Sequence, residues 1–405
     1  MAAICPENLI LEKEIFERSY IENRLSEGGF NSIAKFEQCI WDLEIFLQLQ
    51  RKLGDKTLLK GGAAAQFYLP INAQRTSIDI DMICTATRDE LRKAISEIES
   101  ELHNDAGFFR FKQYVPKNPK LDLDALETYY LKVPSICEID ELYTSKGIQE
   151  VKVEFLFTAD EYPIDKIQRP LLFACDTGRE FNILSLECLF ADKLTTLGPT
   201  TIGIPDDRAD EQFKQLYDVI TLFISNVDRI ISGQERIKSY YETISKNESQ
   251  IHNIDYDPEA LLHDIKSFYN RVKNIENDNV FLNRANDFQS LYLRKGVNRD
   301  KAQWAIVGFQ LDLLVKYLFK NSTMLRSFDV ITELSEKLKF SEIRGPERGQ
   351  MVSEARSKLQ AAFSKLNGLS EDVFKKRLDR IIWELATFVP VNMICNSVKS
   401  LVPQY

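Results

Sequence analysis

The sequence predicts an α+β protein in two parts, a small mixed sheet flanked by helices followed by a helical bundle. Three observations predict it: a strand, turn, helix, strand pattern between Thr57 and Thr85, further short segments rich in β-branched and aromatic residues as far as Phe157, and long amphipathic patterns without strand signals beyond Asn226. With 405 residues the chain is too long for one ordinary core, so two domains are expected, 1–225 and 226–405.

From Pro6 to Leu53 the pattern is helical, with Phe36, Ile40, Leu43 and Leu47 on one stripe that Gly54 closes. A short apolar approach then meets Lys60-Gly61-Gly62, a small-residue helix start, a Pro70 stop and the alternating run from Ser77 to Cys84. Arg88 to His103 returns to helical spacing, and Phe108–Val115, Tyr129–Val133 and Val151–Phe157 read as strands. From Ser185, expected as an N-cap, nearly every segment is helical: Leu186–Leu197, Gln212–Ile224, Lys301–Phe319 and Lys375–Val389 are the clearest. No repeat of fixed period suggests a solenoid.

Composition excludes several classes. An apolar fraction of 44% with 25 phenylalanines argues against extensive disorder. Seven scattered cysteines without a CxxC pair fit buried free thiols, and three isolated histidines make a transition-metal centre improbable. A net charge of −9 argues against a broad basic nucleic-acid surface but leaves room for a local basic cleft. Without a signal-like start or an apolar run of bilayer length, a cytoplasmic protein with no membrane association is expected.

The chemistry concentrates in Ile78-Asp79-Ile80-Asp81-Met82. A strand sends the three apolar side chains to one face and both aspartates to the other. Neighbouring like charges call for cations, and magnesium, which prefers carboxylate and phosphate oxygens and needs no histidine, is the natural one. Upstream, Gly61 and Gly62 stand at a strand-to-helix turn where backbone amides can approach a phosphate. A third carboxylate, Glu154, lies opposite the apolar side chains of Val151–Phe157, so on a neighbouring strand it can join the aspartates; pairing with Lys152 is the plainer alternative. Three carboxylates suffice for two metal ions in phosphoryl transfer. The pair Asp122 and Asp124 lacks a glycine turn and is read as a polar strand end.

These features resemble the DNA polymerase β-like nucleotidyltransferase superfamily, with its Gly-Gly or Gly-Ser turn, DxD or DxE strand and third acidic strand residue. The run KGGAAAQFYLPINAQRTSIDIDM is more closely similar to the AbiEii/AbiGii family, known for toxins of type IV toxin–antitoxin and abortive-infection systems, with Arg75 and Ser77 in register. The later segments SLECLFADKL and KQLYDV resemble the family's lysine-bearing helix and its lysine-to-aspartate motif, although Gln215 replaces the usual first acid. The resemblance covers about residues 55–225 and implies a nucleotidyltransferase fold, with Lys193, Lys214 and Asp218 as functional positions. On the apolar stripe of its helix Lys193 needs an anion unless it snorkels outward. Lys214 and Asp218, four apart, share a helix edge and could be no more than an exposed salt bridge.

The expected reaction transfers a nucleoside monophosphate from an NTP to an acceptor, releasing pyrophosphate. Asp79, Asp81 and Glu154 would hold two magnesium ions. Lys60, Gly61, Gly62, Arg75, Ser77, Lys193 and Lys214 would bind the nucleotide, and Asp218 would hold Lys193 or Lys214 in place. The resemblance implies an RNA acceptor such as tRNA and a cognate antitoxin. Alternatives are a small-molecule, aminoglycoside-like nucleotidyltransferase, a DxD glycosyltransferase, which leaves the glycines unexplained, and a non-catalytic nucleotide-binding module.

Overall fold

The computed structural model describes residues 7–103, 107–115, 125–136, 144–145 and 147–402. Asp122 and Asp124 lie outside them. The chain divides into two compact units: Met1–Leu261 with Arg284–Asn298, and Leu262–Asn283 with Arg299–Tyr405.

In the first unit α1 (Arg18–Gly28) and α2 (Ile33–Leu53) precede β1 (Thr57–Lys60), which passes directly into the short α3 (Gly61–Ala65). Next come β2 (Asp79–Cys84), α4 (Arg88–Glu101), β3 (Phe111–Tyr114), β4 (Leu126–Pro134), β5 (Thr144–Ser145), β6 (Ile148–Phe157), β7 (Ile164–Gln168) and β8 (Glu180–Leu184). Helices α5 (Leu186–Thr195), α6 (Ala209–Ser225), α7 (Val227–Ser232) and α8 (Gln234–Ile251) follow. The α+β class and the strand, turn, helix, strand order between Thr57 and Thr85 agree with expectation.

The sheet runs in the order β3-β4-β6-β2-β1-β8-β7, with β5 beside β6. At its centre β2 is antiparallel to β1 and parallel to β6, so Asp81 stands opposite both Lys60 and Glu154, and Asp79 opposite Lys152. Cross-strand partners share a face, which gathers all five charged side chains on one side of three strands. The other face is apolar: Ile78, Ile80, Met82, Val151, Val153 and Phe155 are buried, each contributing about 1.5–3 kcal/mol when fully removed from water.

Helix α2 covers that apolar face. Its stripe of Phe36, Ile40, Leu43 and Leu47 is buried, the Ser32 hydroxyl accepts the Lys35 amide at its start, and Gly54, at φ 60°, ends it. The Gln38 amide group donates to the Ile78 carbonyl at 2.8 Å and the Glu150 carbonyl at 3.2 Å, which ties the helix to β2 and β6. Strands β7 and β8 were not evident as separate strands in the sequence. The first is a short, partly exposed edge of mixed charge, and the second runs into α5 through Ser185, whose hydroxyl makes no capping bond.

Beyond these come α9 (Pro258–Lys273), α10 (Asn279–Tyr292), α11 (Lys301–Lys320), α12 (Phe328–Lys337), α13 (Pro346–Phe363), α14 (Leu378–Ala386) and α15 (Val391–Val398). In the second unit α11 opens on a capping box of Asp300 and Gln303 and packs against α14, which in turn packs against α12 and α15; Trp304, Leu314, Phe328, Ile382 and Trp383 are buried there.

Candidate active site

The turn between β1 and α3 is shaped by two absent side chains. Gly61 has φ 71°, and a Cβ there would lie 2.1 Å from Asp81 Oδ2; a Cβ on Gly62 would lie 2.7 Å from Arg75 Nη2 and 3.0 Å from Ser77 Oγ. One glycine therefore admits the Asp81 carboxylate against the backbone, and the next admits the Arg75 guanidinium and the Ser77 hydroxyl.

Around this turn lies a cavity of about 220 Å³, lined among others by Lys60, Gly61, Asp81, Glu154, Asp192, Lys193, Gln215 and Glu248. Asp81 is pushed up to about 7, first by burial and then by the Glu154 and Asp79 charges. Its negative charge is thus incompletely compensated, although Lys152 and Lys60 oppose the shift. Lys60 reaches Asp192 Oδ1 at 3.0 Å. Burial alone would lower its pKa, but Asp192, Glu248 and Asp81 outweigh that and hold it raised and charged.

Glu154 faces the same side as the aspartates but is engaged: Lys152 Nζ donates to Oε2 at 2.6 Å and the Thr128 hydroxyl to Oε1 at 3.2 Å. Among the described residues no three His, Cys, Asp or Glu side chains come together as a metal-holding group. The Asp79 and Asp81 pair nevertheless suits a hard divalent cation, because its donors are carboxylate oxygens and Asp81 carries the unbalanced charge just described.

Behind Gly62 sits a second arrangement of opposite character. Arg75 donates through Nε and Nη2 to the two oxygens of Asp218, each at 2.7 Å, and through Nη1 to the Thr76 carbonyl, also at 2.7 Å. Lys193 Nζ lies 3.0 Å from Asp218 Oδ2 and donates to Gln215 Oε1 at 2.6 Å. The Arg75, Asp218 and Lys193 side chains are at most 3% exposed. Burial would raise the Asp218 carboxyl, but Arg75 and Lys193 hold it below the usual carboxylate range. Lys193 thus points inward rather than snorkelling, and Gln215, the departure from the family pattern, accepts its hydrogen bond.

Lys214 stands apart from this group. Asp218 takes Arg75 and Lys193 instead, while Lys214 Nζ sits 4.2 Å from the centroid of the Tyr292 ring, against which Lys35 also packs at 4.4 Å. Ser77 is fixed through its backbone: its amide donates to Cys39 Sγ at 3.2 Å, and the Cys39 thiol donates to its carbonyl at 2.8 Å.

Sequence reasoning missed Asp192, Glu248 and Thr128. Asp192 had a signal, since it adjoins Lys193, which the helical spacing turns inward. Glu248, on an amphipathic helix with no motif, had none.

The model of the nucleotidyl transferase AbiEii toxin family, of the type IV toxin–antitoxin systems, matches residues 46–292. The chain belongs to this family. It is accordingly a nucleotidyltransferase of the AbiEii toxin class, and the match spans every site residue named above except Lys35 and Cys39. Among solved structures, a candidate nucleotidyltransferase from H. pylori is 15% identical, with 71% of this chain and 98% of that one covered and a TM-score of 0.38. The nucleotidyltransferase toxin MenT4 from Mycobacterium tuberculosis is 14% identical, with 75% and 99% covered and a TM-score of 0.38. No curated protein matches the sequence. Among the described residues no helix is long and apolar enough to cross a membrane.

Proposed function

We propose that this AbiEii nucleotidyltransferase transfers a nucleoside monophosphate from an NTP to an RNA acceptor such as tRNA, releasing pyrophosphate, as a cytoplasmic toxin held in check by a cognate antitoxin. The observation that carries the catalytic reading is the contact between Gly61 and Asp81, where a missing side chain admits a buried carboxylate with surplus negative charge.

Asp79 and Asp81 would hold magnesium, with Glu154 as the third carboxylate of the same face. Bound there, magnesium supplies charge neutralisation to phosphate oxygens and lowers the barrier to attack by an acceptor hydroxyl. The chain's own groups do the rest. The backbone at Gly61 and Gly62 and the Ser77 hydroxyl orient the triphosphate, and Lys60 offers it a charge from the cavity wall. Lys193 and Arg75, fixed by Asp218, place positive potential behind the transferring phosphorus, and Lys214 adds to that potential from the Tyr292 side.

A second reading is favoured by one feature: Asp81, Glu154, Asp192 and Glu248 outnumber Lys60 and Lys193 on the cavity wall, and such a wall suits a cationic small molecule. One experiment separates the two. The protein is incubated with each α-labelled NTP, magnesium and either total RNA or a panel of polyamines and aminoglycosides. Label in RNA, lost in Asp81→Asn, supports the proposal; label only on the amines favours the second reading; an Asp81→Asn variant as active as wild type removes the mechanism.

A further inference from the structure

The second unit holds a cavity of about 320 Å³ between the end of α12, one face of α13 and the start of α14. Arg348, Val352 and Arg356, at four-residue spacing, bring one face of α13 to its wall, and Lys339, Arg377 and Asp379 complete the charged lining. We propose that this cavity is a phosphate-binding site, separate from the nucleotidyltransfer chemistry and outside the stretch matched by the family model.

The cations of the lining differ in whether they already have counter-ions. Arg377 is paired with Asp379 and Asp300, and Lys339 with Glu336, so these two cations already have carboxylate partners. Among the described residues Arg348 and Arg356 have no carboxylate partner. Arg348 donates through Nε and Nη2 only to the Lys339 carbonyl, at 3.1 and 3.0 Å, and Arg356 through Nη2 only to the Lys376 carbonyl, at 3.2 Å. A carbonyl fixes a guanidinium in place without cancelling its charge. Arg356 Nε is moreover buried with no hydrogen-bond partner among the described residues, and Arg348 stands in the first turn of α13, where the helix dipole disfavours a cation.

Two oriented, uncompensated guanidiniums beside one cavity match a phosphate anion better than any neutral ligand, since a guanidinium can meet two phosphoryl oxygens. In a protein whose net charge is −9, such a site is local rather than part of a broad basic surface. The phosphate could belong to a polynucleotide backbone or be a free phosphate ion, and the two sources give different results in one test.

Full-length wild type and Arg348→Ala/Arg356→Ala are titrated at low salt with a short fluorescein-labelled single-stranded RNA, followed by anisotropy, and with inorganic phosphate, followed by calorimetry. The double variant is expected to weaken binding by about tenfold or more, the loss of one or two charge-assisted bonds. Weakening with both probes assigns the site to any phosphate, and weakening with RNA alone assigns it to the backbone. Equal affinity of both proteins for both probes, or no binding by wild type, overturns the proposal. Arg348→Ala alone, at an exposed side chain, provides the readout if the double variant does not fold, and Arg348→Lys should recover part of the affinity. Because label transfer at Asp81 is measured separately, failure here leaves the proposed reaction standing.

Discussion

Two charged regions flank the Gly61-Gly62 turn, and they differ in how far cations compensate their central carboxylate. On the sheet, Asp79, Asp81 and Glu154 share a face with Lys60 and Lys152, and Asp81 remains under-compensated even so. Behind Gly62, the buried Arg75, Asp218 and Lys193 bond one another, with the half-buried Gln215 accepting from Lys193 at the cavity wall. A carboxylate bonded by two cations serves as part of a frame, whereas one left with surplus negative charge is prepared for a cation the chain does not contain. The two should therefore answer substitution in opposite ways, the first losing activity and the second losing the fold.

The largest effect is expected at the sheet. Asp81→Asn should lower label transfer by about 1000-fold or more, on the order of 4 kcal/mol of transition-state stabilisation, with an unchanged far-ultraviolet circular dichroism spectrum. A comparable loss of thermal stability would place Asp81 in the frame instead. Next comes Asp218→Ala, which strands Arg75 and Lys193 without their counter-ion and should cost about 3–5 kcal/mol of stability, read by urea unfolding. A loss below about 1 kcal/mol, the value of an exposed pair, would mean that Asp218 is not part of a frame.

The pH responses should also oppose each other. The Asp81 carboxyl is raised to about 7 in the folded protein, so without magnesium its protonated form favours the fold. That stability is lost as pH rises from the ordinary carboxylate range through 7. Asp218 is shifted the other way, so its contribution is present above the ordinary carboxylate range and lost as pH falls through its lowered folded value. Melting temperatures across pH for Asp81→Asn and Asp218→Asn test this: the first should flatten the decline toward pH 7 and above, the second the acid decline, and identical profiles would refute the assignment.

The smallest effect lies beneath the sheet, in α2. Among the described residues neither oxygen of the buried Asp42 carboxyl has a hydrogen-bond partner, and burial, then Asp79 and Asp81, push its pKa well up. Asp42→Leu should stabilise the protein by about 1 kcal/mol while sparing activity. Destabilisation would show that Asp42 has an unrecognised partner.

Much of the sheet site was legible because period-2 alternation fixes which side chains share a face. Asp79 and Asp81 fall on one side as the run from Ile78 to Met82 requires, and Glu154 arrives beside Asp81 because β6 pairs with β2 in register. The glycines were legible as a close approach, but sequence suggests only a phosphate there, whereas Gly61 also makes room for Asp81 itself. Helical spacing told that Lys193 faces inward. It could not tell that Asp218 would choose Arg75 and Lys193 over Lys214, because that depends on how α6 sits against the β1–α3 turn. Glu248 and the arginines of α13 were invisible for the same reason: charged residues on amphipathic helices look alike until tertiary packing decides which of them meet a counter-ion.

The central claim, that the Asp79 and Asp81 face carries charge awaiting a divalent cation, is tested most directly by a magnesium titration of thermal stability at pH 8. Wild type should rise in melting temperature with magnesium, saturably, while Asp81→Asn should start higher in metal-free buffer and respond little. A wild type indifferent to magnesium, or a variant that responds as strongly as wild type, would contradict the account.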